Sequence, residues 1–186
     1  MARKSAKTTA GPEINYDKQV SMAQESMRPQ DLPHYLFALA SEVAKRWLKE
    51  GRKIGVLVVI GSFCKGKHCR VAGLRQLGGS NPLNGRFIAA DSPEFAELLH
   101  HDDVLTGDGA IVVNSTGQVL GASAYVVVDH PKAVIPEESG SRHLAAASAS
   151  LRPDVVGTVT ISEETRRVRL FLKGRVAAMF DPEKED

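Results

Sequence analysis

From Leu32 to Lys49, apolar residues recur at Leu36, Leu39, Ala40, Val43, Ala44, Trp47 and Leu48, a spacing that lays one apolar stripe along an α-helix. Asp31 stands at the N-cap position, Pro33 just inside, and Gly51 just past the end, which bounds the helix. Ile54 to Ile60 is an almost unbroken apolar run, the pattern of a strand buried on both faces. The following stretch, Gly61 to Gly85, is rich in Gly, Lys and Arg and holds one short strand around Val71. Ser92 opens a second helix over Pro93 to His101, with Glu94 in its first turn. Gly109 to Val113 and Gln118 to Val128 are strands joined by the turn Asn114-Ser115-Thr116-Gly117, a hairpin. After a polar loop, Ser141 caps an alanine-rich helix that runs to about Leu151, and Val155 to Ile161 is a second buried strand. Val168 to Leu172 and Arg175 to Met179 flank the turn signal Lys173-Gly174. Strands alternate with helices early and pair as hairpins later. The predicted fold is therefore α/β, a single domain with a mixed parallel and antiparallel central sheet flanked by helices.

Composition narrows this picture. The chain has 186 residues, 42% hydrophobic and 25% charged, enough for one core of ordinary size. Residues 1–30 read as a flexible or partly helical tail, 31–181 as the domain, and 182–186 as an acidic end. Apolar runs such as Val56 to Ile60 fall far short of the roughly 20 residues of a membrane span. Arg3, Lys4 and Lys7 are followed by polar residues and not by the apolar segment of a signal peptide. The expected setting is the cytoplasm, with no membrane partner. Those three basic residues alone exceed the net charge of +2, so the remainder has no broad basic face and no nucleic-acid partner is expected.

Three segments can carry chemistry, and each also has a plain structural reading. Gly140-Ser141-Arg142-His143 opens a helix whose first-turn amides and dipole attract anions, with Arg142 and His143 as added donors; it also reads as an ordinary helix start. Gly107-Asp108-Gly109-Ala110 sets a carboxylate before a strand among small neighbours, suited to a metal or a hydroxyl proton, or simply to an Asp-Gly turn. Ser162-Glu163-Glu164-Thr165 ends a strand and offers either a divalent-ion ligand or a solvated turn. Cys64, His68 and Cys69 lack a clear fourth zinc ligand and read as a reduced pair on a loop. His100-His101-Asp102-Asp103 reads as a helix end, and Lys65, Lys67, Arg70 and Arg75 as a solvated basic loop.

In this order, Asp108-Gly109-Ala110, Gly140-Ser141-Arg142-His143 and Ser162-Glu163 resemble the motifs of the diadenylate cyclases, the DisA-type nucleotide-binding domain. The resemblance extends from about His34 to Phe180. Asn81-Pro82-Leu83-Asn84-Gly85 and the run Gly55 to Gly61 look most like the archaeal-type single-domain branch. It implies an enzyme that joins two ATP into cyclic di-AMP with loss of two pyrophosphates, using Mn2+ or Mg2+. By the same resemblance Asp108, Gly109, Ala110, Arg142 and His143 are catalytic, and Asp108 and Glu163 hold the metal. Tyr125 and Val126 meet adenine, and Gly140, Ser141, Arg142, His143 and Ser162 bind ATP. The implied active form is a face-to-face homodimer or a larger homo-oligomer. Many relatives carry a second arginine after the histidine, where this chain has Leu144. That departure keeps a second reading open, a catalytically degenerate module that binds ATP or cyclic di-AMP.

Overall fold

The computed structural model describes residues 28–63, 74–76, 83, 86–101, 109–126, 132–135 and 140–184. In chain order the elements are α1 (Leu32–Glu50), β1 (Val56–Gly61), β2 (Leu74–Gln76), β3 (Ile88–Ala89), α2 (Pro93–His101), β4 (Ala110–Asn114) and β5 (Gln118–Val126). They continue with α3 (Ser141–Ser150), β6 (Val155–Ile161), β7 (Val168–Leu172) and β8 (Arg175–Phe180).

The strands form one sheet in the order β2-β5-β4-β1-β6-β7-β8, with β3 also paired to β5. Only β1 and β4 run parallel among these pairs; the others are antiparallel, so the sheet is mixed as the strand pattern predicts. β1 lies at the centre, between β4 and β6, and all six of its residues are buried. Its alternation divides the core in two. Val56, Val58 and Ile60 pack with α1 and α2, whereas Leu57 and Val59 pack with α3. The molecule is thus a helix–sheet–helix sandwich.

The α1 stripe buries Leu36, Ala40, Val43, Ala44 and Trp47. Trp47 is fully enclosed, and its indole donates to His100 Nδ1 at 3.1 Å, which ties α1 to the end of α2. Truncating a tryptophan in such a place costs about 3–5 kcal/mol. Gly51 closes α1 in the left-handed region at φ 69°, where its own N–H and that of Arg52 satisfy the last carbonyls. Ser92 begins α2 by accepting the Phe95 N–H at 3.2 Å.

Several expectations shift. Asp31 occupies the N-cap position, but its carboxylate is taken by Arg28 at 2.8 Å and makes no cap hydrogen bond. The N-cap of α3 is Gly140, and Ser141 is the first helical residue. The strand expected around Val71 lies outside the described residues, whose strand in this region is Leu74–Gln76. Among the described residues no helix is long and apolar enough to cross a membrane.

From Ala145 to Ser150, α3 is made of small residues, so it can lie close on β6 and β7. Thr158 on β6 donates its hydroxyl to the Ala146 carbonyl at 3.0 Å. Gly174 donates its N–H to Ser150 Oγ at 2.8 Å. These bonds fix the helix axially, and therefore fix where its N-terminus points.

Candidate functional site

A cavity of about 490 Å³ opens on the α3 side of the sheet. That size falls within the range of small-ligand pockets. Leu57 of β1, Ala110 of β4 and Ala124 of β5 form an apolar floor, and Tyr125 and Val126 extend it along β5. Opposite them stand Ser141, Arg142 and Ala145 of α3, with Glu163 closing the rim from the β6–β7 turn.

The floor has its shape because the β4–β5 ladder slips. Ala110 pairs with Ala124, but Val112 pairs with Gly121, so one residue of β4 faces two of β5. The extra residue is accommodated at Ser123, whose φ is 56°. Gly109 enters β4 beside this bulge at φ +97°, and a Cβ there would meet the Ser123 carbonyl carbon at 2.8 Å. Glycine alone fits both the dihedral and the gap. Past the bulge, Tyr125 is 52% exposed at the cavity edge while Val126 is buried.

The other wall is a helix N-terminus. Gly140 carries no side chain to cap α3, and among the described residues no side-chain cap hydrogen bond is made there. Its carbonyl accepts from His143 and Leu144 N–H, which leaves the earliest amides of α3 facing outward. Such amides and the helix dipole favour an anion. Arg142 extends from this turn to within 3.8 Å of Glu163 Oε2. The Glu163 turn is itself braced. Ser162 Oγ accepts the Thr165 N–H at 3.4 Å, and Arg166 Nε donates to the Arg52 carbonyl at 2.8 Å.

His143 points the other way. It is 7% exposed and lies beneath α3, with Nε2 2.7 Å from Arg169 Nη1 on β7 and its ring 6.3 Å from that of Phe171. A guanidinium only donates, so Nε2 accepts and the ring proton sits on Nδ1. That Nδ1 has no hydrogen-bond partner among the described residues. Burial, then the charges of Arg169 and Arg142, push the His143 pKa down to about 4, so the ring is neutral at pH 7.

Of the residues singled out in the sequence, the structure thus gathers Gly109, Ala110, Tyr125, Val126, Ser141, Arg142 and Glu163 around one cavity. Gly140 stands at the open end of α3, Ser162 supports the rim, and His143 sits behind the wall. Asp108 lies outside the described residues, as do Cys64, Lys65, Lys67, His68, Cys69, Arg70, Asp102 and Asp103. Arg75 is opposite Tyr125 in the β2–β5 ladder, and His100 is enclosed by Trp47 and Glu50. Among the described residues no group of three His, Cys, Asp or Glu side chains is placed to hold a metal. The cavity also uses Leu57, Ala124 and Ala145, which their apolar character assigns only to the core.

The model of the family described as DisA bacterial checkpoint controller nucleotide-binding matches residues 46–176. A diadenylate cyclase of Haloferax volcanii is 26% identical over 148 residues, 80% of this chain and 52% of its own length. One of Methanocaldococcus jannaschii is 27% identical over 150 residues, 79% of this chain and 44% of its own. The chain therefore spans about half the length of these relatives. Among solved structures, a double mutant of DacA from Staphylococcus aureus is 23% identical with a TM-score of 0.48, covering 81% of this chain and 89% of that one. A hypothetical membrane spanning protein from Bacillus cereus is 22% identical with a TM-score of 0.48, covering 75% of this chain and 60% of that one. With the family match extending over more than two thirds of its residues, this chain belongs to the DisA-type nucleotide-binding, or diadenylate cyclase, family.

Proposed function

We propose that the protein condenses two ATP molecules into cyclic di-AMP. The observation that carries this reading is the pairing, in one cavity, of an apolar floor ending at Tyr125 with the uncapped first turn of α3 and Arg142. An adenine fits the apolar floor beside Tyr125 and Val126, and a triphosphate fits the amides of Ser141 and Arg142. Arg142 donates charge-assisted hydrogen bonds to phosphate oxygens, and Gly140 leaves the approach to the amides clear. His143 serves from behind, holding the first turn on the sheet through Arg169.

The donor set suits a hard divalent cation. Glu163 is 59% exposed, Arg142 Nη1 is 3.8 Å from it, and such ions take one or two carboxylates together with substrate oxygens. Glu163 and Asp108 would hold Mn2+ or Mg2+, which when bound neutralises charge on the phosphoryl oxygens. Asp108, one residue before Gly109 and the cavity floor, takes the proton of a ribose 3′-hydroxyl. The 3′-oxygen forms a bond to the α-phosphorus of the second ATP, the bond from that phosphorus to the pyrophosphate oxygen breaks, and pyrophosphate leaves. Repetition from the other side closes the ring. Arg142 stabilises the charge that develops on the transferred group.

The chain has one copy of each motif, so two chains facing across a twofold axis supply both halves of the reaction. Leu144, half-buried in the first turn of α3, favours the alternative that the site binds ATP or cyclic di-AMP without turnover. Incubation with ATP and Mn2+ or Mg2+, followed by mass analysis, separates the two: cyclic di-AMP supports the cyclase, and intact ATP with a raised melting temperature supports the binding module.

A further inference from the structure

Gly55 lies immediately before β1, buried, and its reason for being glycine is not its backbone. Its φ is outside the left-handed region, unlike Gly51 and Gly109. The three nearest atoms a side chain would meet there belong to one group. A Cβ on Gly55 would collide with Arg142 Nη1, with Arg142 Cζ at 2.5 Å and Arg142 Nη2 at 3.0 Å as the next nearest atoms. The guanidinium thus rests on the bare Cα of Gly55.

The location of that seat matters. Val56 pairs with Ile161 at the end of the β1–β6 ladder, so Gly55 adjoins Ser162 and the turn that carries Glu163. The same turn is fastened to the residues before Gly55 by the bond from Arg166 Nε to the Arg52 carbonyl. Arg142, 31% exposed, crosses from α3 to this seat and faces Glu163 at 3.8 Å. Long arginine side chains are mobile unless something fixes the fork, and phosphate recognition depends on the fork's orientation.

We infer that Gly55 is a positioning residue: it forms the seat that holds the Arg142 guanidinium between the α3 amides and Glu163, aligned for the phosphates of the nucleotide. The inference rests on the reading of Arg142 as a phosphate ligand given above. A methyl group at position 55 displaces the fork without straining the backbone.

The test is a double-mutant cycle with Gly55→Ala, Arg142→Ala and the double variant, using inorganic tripolyphosphate as the probe in calorimetry. Gly55→Ala should weaken tripolyphosphate by about fivefold in the wild-type background and leave it unchanged where Arg142 is already alanine. The Arg142 Nε–Hε resonance in the protein without ligand should also shift in Gly55→Ala. An unshifted resonance overturns the seat. Equal losses in both backgrounds, or no loss in either while Arg142→Ala does weaken binding, overturn the positioning role. If Arg142→Ala leaves tripolyphosphate affinity intact, the assignment of Arg142 to phosphate fails and the inference falls with it.

Discussion

His143 should make the fold acid-sensitive well above the carboxylate range. An unfolded histidine takes up its proton near pH 6.5, whereas the buried ring beside Arg169 resists protonation until about pH 4. Between these values the unfolded chain binds the extra proton and the native chain does not, so stability falls as pH falls. The folded pKa is depressed, and the stability it carries is present above 6.5 and lost on the way down to about 4. The full span corresponds to about 3 kcal/mol, of which about 2 kcal/mol is gone by pH 5. For a chain of this size that is a fall in Tm of roughly 4–8 °C. Urea unfolding at pH 7, 6, 5 and 4 on wild type and His143→Gln isolates the effect, because the other five histidines are common to both. Asp181 acts in a separate window. Burial raises its pKa, but the Arg167 hydrogen bond and its neighbours outweigh this and lower it, so its contribution is lost only below the ordinary carboxylate value. Arg169→Met should shrink the His143 contribution by raising the folded pKa. If His143→Gln keeps the wild-type pH slope, or if His143 in the folded protein titrates near 6.5 by NMR, the buried His143–Arg169 pair is not what the geometry indicates.

Gly109→Ala should cost about 1–3 kcal/mol in urea unfolding, since alanine meets both the positive φ and the Ser123 backbone; a neutral result would mean that the bulge relaxes freely. Arg142→Ala should weaken ATP by about 1.5–3 kcal/mol and adenosine hardly at all, measured by calorimetry, and equal losses would make the residue structural. Specific activity should rise with protein concentration until a dimer saturates, and a flat dilution series over a range where the chain is monomeric would contradict the paired-site mechanism.

Much of the scaffold is legible in the sequence because periodicity carries it. The α1 stripe and the unbroken β1 run follow from side-chain spacing, and the β7–β8 hairpin from the turn signal Lys173-Gly174. Caps are less legible, since Asp31 has a choice of partners and takes Arg28, while Gly140 displaces Ser141 from the N-cap position. The β5 bulge at Ser123 is announced only by Gly121 two residues earlier, a glycine inside a strand pattern that does not say which residue carries the positive φ. Leu57, Ala124 and Ala145 read as core, and only the assembled sheet shows that one end of that core is open. The inward turn of His143 does leave a trace: with Ala146, Ala147 and Ser150 it makes one buried stripe at helical spacing. Gly55 leaves none, because its partner Arg142 is distant in sequence and meets it only through the packing of α3 on β1.

The most direct test of the central claim is chemical. Purified protein is incubated with ATP and Mn2+ or Mg2+, and the nucleotides are resolved by mass, beside an Asp108→Asn variant shown to be folded. The wild type should yield cyclic di-AMP and pyrophosphate and the variant neither, since asparagine keeps the size of the side chain but loses the charge that hydroxyl activation needs. Unchanged ATP with both proteins, or equal product from both, would contradict the cyclase mechanism.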